Sequence, residues 1–289
     1  MRRRTYGIVI LLAGVAAIAS IARRPKSTPV DGDWPVNLAH RGASARAPEN
    51  TLEAFRAALE DGAGGLETDA HMTHDGEIVL IHDDTVERTT DGRGFVREMT
   101  LEEIQALDAG YGFGDDADFP YRARDLRIST LREVYEEFPG VPINIDIKEA
   151  APGIERAVFE VVRSAGAEGH TLIASYRHGI VERFRRVSGG AIPTAASRRE
   201  IEIFLVLYAL RLTRLLRPVY VALQVPVEHR GVRIVTRSFV EVAHALGVRV
   251  DVWTIDDEPG MRWLLDLGVD VIMTNRPAML AKVLQGPGA

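Results

Sequence analysis

The stretch Gly65-Leu66-Glu67-Thr68-Asp69 reads as a β-strand with carboxylates at alternate positions. Side chains two apart on a strand share a face and stand about 6–7 Å apart, so Glu67 and Asp69 point the same way. Upstream, Val36–Ala39 is a short apolar run that ends in His40-Arg41-Gly42. Downstream, Ile78–His82 ends in His82-Asp83, and Asn144-Ile145-Asp146-Ile147-Lys148 again sets three polar side chains on one face. Similar strand-like runs follow at Thr171–Ser175, Ile192–Ala196, Tyr220–Leu223, Val248–Thr254 and Val271–Thr274. Between them lie amphipathic helical patterns at Thr51–Glu60, Ile154–Ser164, Ser238–Leu246 and Met261–Leu267, the last two closed by Gly247 and Gly268. Strands alternating with helices predict a parallel sheet covered by helices. The nine runs suit a (β/α)8 TIM barrel with one strand to spare. A doubly wound open sheet is the alternative, but no Gly-x-Gly-x-x-Gly follows the first strand. The polar, Gly- and Asp-rich stretch 83–127 reads as an insertion after the third strand.

Composition narrows the function. The 289 residues carry 35 basic and 41 acidic side chains, a net charge of −6, which leaves no basic footprint for nucleic acid. Cysteine is absent, so disulfides, thiolate metal sites and a cysteine nucleophile are excluded. Charge is uneven: residues 1–35 hold six basic against two acidic side chains. Within them, Thr5–Ala22 is uncharged and flanked by Arg2, Arg3 and Arg4 and by Arg23, Arg24 and Lys26. Eighteen such residues stand at the lower limit for a membrane-spanning helix. We expect an uncleaved single-pass membrane anchor over a signal peptide cleaved near Ala17-Ile18-Ala19, which would give a secreted protein. Ser27–Pro35 follows as a tether, and residues 36–285 form the barrel domain.

Barrel active sites gather at the C-terminal ends of the strands, where the polar residues of this chain crowd. Glu67 and Asp69 on one strand and Asp146 on another make an all-oxygen donor set for one hard divalent cation, Mg²⁺ or Ca²⁺. Charge inside a barrel is unfavourable unless such a cation or a counter-ion neutralises it. His71 continues the Glu67/Asp69 face, placed to orient a ligand. Glu49 and Asn50 either cap the helix starting at Thr51 or reach the site. Trp253, at the end of a strand, is either core or a wall of the substrate pocket.

Several motifs stand in an order and spacing that resembles the glycerophosphodiester phosphodiesterase family. They are His40-Arg41-Gly42, Pro48-Glu49-Asn50-Thr51, Glu67-Thr68-Asp69, Thr73-His74-Asp75-Gly76, His82-Asp83 and Arg88-Thr89-Thr90-Asp91-Gly92, followed by Asn144–Lys148, Trp253-Thr254 and Thr274-Asn275-Arg276-Pro277. The likeness covers about residues 36–280, and among family branches the chain looks like those with an N-terminal hydrophobic segment. It implies a TIM barrel with a small insertion after the third strand, and a hydrolase of glycerophosphodiesters yielding an alcohol and glycerol 3-phosphate. It further implies His40 and His82 as the acid/base pair, Glu67, Asp69 and Asp146 as metal ligands, and Arg41 and Lys148 as holders of phosphate oxygens. Many members have Glu at the position of Asp146 and Asp at that of Asn275, which we read as structural.

Two further readings remain. Ile201–Val219 combines Ile203–Leu210 with Arg211, Arg214 and Arg217, a pattern that suits either a barrel-packing helix or one lying in a membrane interface. The interfacial reading would favour lysophospholipids, making the protein a lysophospholipase D. A non-enzymatic lipid-binding barrel is the third class, and the retention of both histidines, both basic groups and three carboxylates argues against it.

Overall fold

The computed structural model describes residues 34–114, 119–148 and 151–286. In chain order the main elements are β1 (Asn37–His40), α1 (Leu52–Glu60), β2 (Gly65–Met72), β3 (Ile78–Leu80), α2 (Leu101–Gln105), α3 (Leu131–Glu137) and β4 (Ile143–Ile147). There follow α4 (Ile154–Ser164), β5 (Thr171–Ala174), α5 (His178–Val187), α6 (Arg198–Ala209), β6 (Ala222–Val225), β7 (Glu228–His229) and β8 (Val232–Arg233). The last are α7 (Arg237–Ala245), β9 (Arg249–Val252), α8 (Glu258–Leu267), β10 (Val271–Thr274) and α9 (Pro277–Gln285).

Seven strands pair in parallel in the order β5-β4-β2-β1-β10-β9-β6. The sheet is curled and helix-covered, a distorted relative of the TIM barrel, not the fully closed, regular (β/α)8 barrel expected. Two departures account for this. Where Ile192–Ala196 was expected as a strand, only isolated bridges form, Ile173 with Thr194 and Ala195 with Ala222. Pro193 lacks an N–H and interrupts the ladder there, though its carbonyl still accepts from Ile173. The expected third strand also differs, because β3 pairs antiparallel to β2 and lies off the parallel path. Only residues 73–77 join the two strands, whereas a parallel return needs a crossover of about a dozen residues. Thr73 and Glu77 close this turn, with Gly76 at φ +92°.

The strand sequences sort by face. In β4 the isoleucines Ile143, Ile145 and Ile147 pack outward with Phe55 of α1 and Val158 of α4, which leaves Asn144 and Asp146 on the inner face. The lower interior holds Leu38, Leu172, Ala222 and Val271. Higher up, Gln224 donates to Asn144 and Asp251, and Arg249 pairs with Asp251 at 3.2 Å. The stretch between β3 and α3 has its own small core of Val86, Val96, Ile104 and Ile128 against Val79 and Ile81.

One expectation is corrected. No helix among the described residues is long and apolar enough to cross a membrane, which overturns the transmembrane expectation for them; the segment 5–22 lies outside the described residues. Ile203–Leu210 packs through Phe204 and Leu207, which are buried, with Phe204 edge-on to Phe239 of α7 at 5.3 Å, while Val206 and Leu210 are exposed.

Candidate active site

The polar strand ends meet at one mouth. Register sets His40 beside Glu67 and Asp69 beside Asp146. Lys148 follows β4 and His82 follows β3. The His40-Arg41-Gly42 turn is held tightly: Arg41 has φ +57° and Gly42 φ +82°. A Cβ on Gly42 would lie 2.7 Å from the Ala54 carbonyl, so no other residue fits where this turn crosses α1. The Arg41 amide donates to Glu67 Oε2 at 3.0 Å, and its guanidinium reaches Asp69 and Glu49, both at 3.1 Å.

A belt of alternating charge rings the mouth. Glu49 joins Arg41 to Arg88, Arg88 joins Glu49 to Asp83, and Asp83 accepts from His82 Nδ1 at 2.7 Å. The Arg88 hydrogen bond lowers the Asp83 carboxyl to about 2, so it is ionised behind the ring. Burial would raise Glu49, but Arg88 and Arg41 together hold it below the usual range. Asn50 is no helix cap, since Thr51 caps α1. Its Nδ2 donates to Asp69 Oδ2 at 3.0 Å, and its Oδ1 accepts from Thr68. His71 Nε2 lies 3.3 Å from the His82 carbonyl oxygen, tying the loop after β3 to β2.

His40 is backed differently. Its Nδ1 donates to Asn275 Oδ1 at 2.8 Å, and Ser44 donates to the same oxygen. Asn275 Nδ2 in turn donates to Asp256 Oδ2 at 2.6 Å. The amide's orientation fixes the His40 tautomer with its proton on Nδ1, leaving Nε2 as the nitrogen that faces Glu67 at 4.0 Å. Burial, and then the Arg41 charge, hold the His40 pKa below that of an ordinary imidazole. Asn275 is thus part of the site rather than a structural residue. Its place in Thr274-Asn275-Arg276-Pro277, just past the last strand, was the signal available in the sequence.

Glu67 and Asp69 are buried, and Asp146 beside Asp69 is half-buried. Burial, reinforced by the Asp69 charge, pushes Glu67 well above the usual carboxylate range. Burial would also raise Asp69, but Lys148 and Arg41 hold it low. Among the described residues no cluster of acidic or histidine side chains is drawn together as a metal site. Instead Lys148 Nζ stands 2.9 Å from Asp69 Oδ1 and 2.7 Å from Asp146 Oδ2. The donors nevertheless suit a hard cation: they are all oxygens, and Asp146 Oδ1 is buried with no hydrogen-bond partner. Trp253 is not core. It lies just past β9, 43% exposed, on the far side of the mouth from His82 and beside an apolar cavity.

Residues 40–279 match the Glycerophosphoryl diester phosphodiesterase family. A glycerophosphodiester phosphodiesterase of Caldanaerobacter subterraneus subsp. tengcongensis is 34% identical over 258 residues, covering 87% of this chain and 98% of the relative. A Bacillus altitudinis glycerophosphodiester phosphodiesterase is 31% identical over 256 residues, covering 85% of this chain and 96% of the relative. Among solved structures, the Agrobacterium tumefaciens glycerophosphodiester phosphodiesterase aligns with TM-score 0.68 at 26% identity, covering 85% of this chain and 98% of that one. The corresponding domain of a Mycobacterium tuberculosis protein aligns at 0.76 over 88% of this chain and 99% of that one, at 23% identity, and so speaks to the fold alone. Motifs, fold and comparisons agree: the chain belongs to the glycerophosphodiester phosphodiesterase family and is a phosphoric diester hydrolase.

Proposed function

We propose that the protein hydrolyses glycerophosphodiesters to an alcohol and glycerol 3-phosphate by acid/base catalysis between His40 and His82. The observation that carries this reading is the pair of imidazoles, each held by its Nδ1, beside a carboxylate cluster bordered by Arg41 and Lys148. His40, neutral because its pKa is depressed, takes the proton of the attacking glycerol hydroxyl at Nε2 and returns it when water opens the resulting cyclic phosphate to glycerol 3-phosphate. His82, oriented by Asp83, delivers a proton to the departing alcohol oxygen. Arg41 and Lys148 hold the phosphoryl oxygens, where negative charge grows in the transition state.

Glu67, Asp69 and Asp146 are the residues that would hold one divalent cation, Mg²⁺ or Ca²⁺, of the kind the family generally uses. Bound there, it supplies Lewis-acid neutralisation of the phosphoryl charge. Burial of Lys148 opposes its charge, but Asp146, Asp69 and Glu67 outweigh this and raise its pKa, so its ammonium persists. It neutralises these acids when no cation is bound and turns to the phosphate when one is.

The experiment is hydrolysis of glycerophosphocholine with product identification, before and after EDTA and with Mg²⁺ or Ca²⁺ restored. Release of choline and glycerol 3-phosphate, lost with EDTA and regained with either cation, is the expected result. Full turnover in metal-free buffer would remove the cation from the account.

A further inference from the structure

Across the mouth from His82 the site opens into a cavity of about 270 Å³, joined to the carboxylate cluster by Asp146 and Gln224. Most of its wall is apolar. Ile201 and Leu205 of α6 face it, on a stripe distinct from that of Phe204 and Leu207, which packs into the core. Ala174 and Ala196 keep it open, and Arg198 pairs with Glu202 at its rim. Gln224, half-buried on β6, sets a neutral amide into this wall.

That amide is fixed from below. Its Nε2 donates to Asn144 Oδ1 at 3.1 Å and to Asp251 Oδ2 at 3.3 Å. Burial raises the Asp251 pKa, and the Arg249 charge opposes this. Arg249 donates to both Asp251 oxygens, at 3.3 and 3.2 Å, so this acid accepts from Gln224 and does not donate. With both N–H groups directed to the floor, the amide cannot turn over. Among the described residues nothing donates to Oε1, and Gln224 lines the cavity, so an oriented acceptor faces it. A ligand that covered this oxygen without donating to it would strip its water and return nothing. The cavity therefore favours a hydroxyl.

The diester has two arms, and the geometry assigns one of them to this side. Attacking and leaving oxygens stand roughly in line through the phosphorus. The leaving alcohol departs at His82 after β3, so the glycerol arm lies on the opposite side, where the cavity is. The glycerol hydroxyl next to the phosphoester attacks at His40. One hydroxyl remains, the primary one on the far carbon.

We propose that Gln224 is a specificity-determining residue whose Oε1 accepts a hydrogen bond from this free primary hydroxyl, so that the site selects glycerol arms left unsubstituted there. The proposal rests on the phosphodiesterase reading above for which arm lies on which side.

The test sets glycerophosphocholine beside two analogues, with Mg²⁺ or Ca²⁺ present. One is 2-hydroxypropyl phosphocholine, which lacks the primary hydroxyl. The other is the 1-O-methyl ether of glycerophosphocholine, which keeps the oxygen and loses the donor. With the parent chain, kcat/KM should be about 10- to 100-fold lower for both analogues, the scale of one buried polar group left unpaired. Gln224→Met should bring glycerophosphocholine down to the level of the analogues and leave the analogues within about twofold of their parental values. Parental turnover that is equal on all three substrates overturns the proposal. So does an equal loss on all three in Gln224→Met, which would make the residue structural, or discrimination that survives the substitution, which would put the acceptor elsewhere. Should Gln224→Met lose its thermal transition, Gln224→Glu keeps an acceptor on the same stem and should discriminate at least as strongly as the parent; a folded Gln224→Glu that treats the three alike overturns the proposal. If no substrate is hydrolysed, calorimetry on the parent chain with Ca²⁺ separates the two failures. Glycerol 3-phosphate binding at least about tenfold more tightly than 2-hydroxypropyl phosphate keeps the Gln224 assignment and sinks the activity, whereas equal affinities overturn the assignment as well.

Discussion

The two sides of the mouth are built on opposite principles. On the β1, β2 and β3 side, Arg41, Glu49, Arg88 and Asp83 interlock by ion pairs of 2.6–3.1 Å. On the β5, β6 and β9 side, Ala174, Ala196 and Leu205 line open space, with Gln224 tied to Asn144 and Asp251 below and Arg198 to Glu202 at the rim. The first side is preorganised for charge that develops during reaction, which is where electrostatic catalysis gains most. The second offers mainly apolar area. The charged and the apolar side are therefore separable by substitution.

That separation can be broken first at its strongest point. His40→Ala and His82→Ala should each lower kcat by at least about 100-fold, with KM little changed because the phosphate holders stay in place. Steady-state kinetics on glycerophosphocholine check this, and near-parental kcat in either variant removes that histidine from proton transfer. A second break lies in α6, whose two stripes the account assigns to different tasks. Phe204→Ala should destabilise the fold by about 3–5 kcal/mol in denaturant titration, as for other fully buried phenylalanines, whereas Leu205→Asn, at a half-buried position on the same core, should cost clearly less. Equal losses would make both stripes core.

Finer tests sharpen the charged side. Asn275→Leu removes the acceptor that sets the His40 tautomer and should lower kcat by about 10- to 100-fold, the scale of outer-shell changes. The pH profile carries a sign. A base whose pKa is depressed by burial and Arg41 is already neutral below the ordinary imidazole range, so the acid limb of kcat/KM falls below about pH 6.5. Asn275→Asp sets a carboxylate behind the ring, favours the imidazolium, and should move that limb to higher pH. A limb that stays put would show that His40 is not the group titrating.

How much of this the sequence revealed follows the same division. The charged side arises from short local motifs: a turn at His40-Arg41-Gly42, one strand with Glu67 and Asp69, and one with Asp146 leading to Lys148. Strand periodicity alone aligns those side chains. Asn275 and Asp256 escaped because their role depends on β10 lying beside β1, a contact across most of the chain. Apart from Trp253, offered as a pocket wall, the cavity escaped because residues 174, 196–205 and 225 read individually as ordinary core or surface. Its helix was left between packing and a membrane interface for a physical reason: buried and exposed apolar residues on one helix look alike in sequence. The antiparallel β3 was legible from the five-residue connection, and the interrupted eighth strand from Pro193.

The central claim is that this constellation hydrolyses a glycerophosphodiester with His40 and His82 moving the protons. Phosphorus NMR of glycerophosphocholine turnover tests it most directly, run with the parent chain and the His40→Ala/His82→Ala pair in Mg²⁺ and in Ca²⁺. The account predicts that the parent converts the diester resonance to that of glycerol 3-phosphate with at least one of the cations, while the doubly substituted protein, folded by its thermal transition, leaves it untouched. Conversion at parental rate by the doubly substituted protein, or an inert parent in both cations, would contradict it.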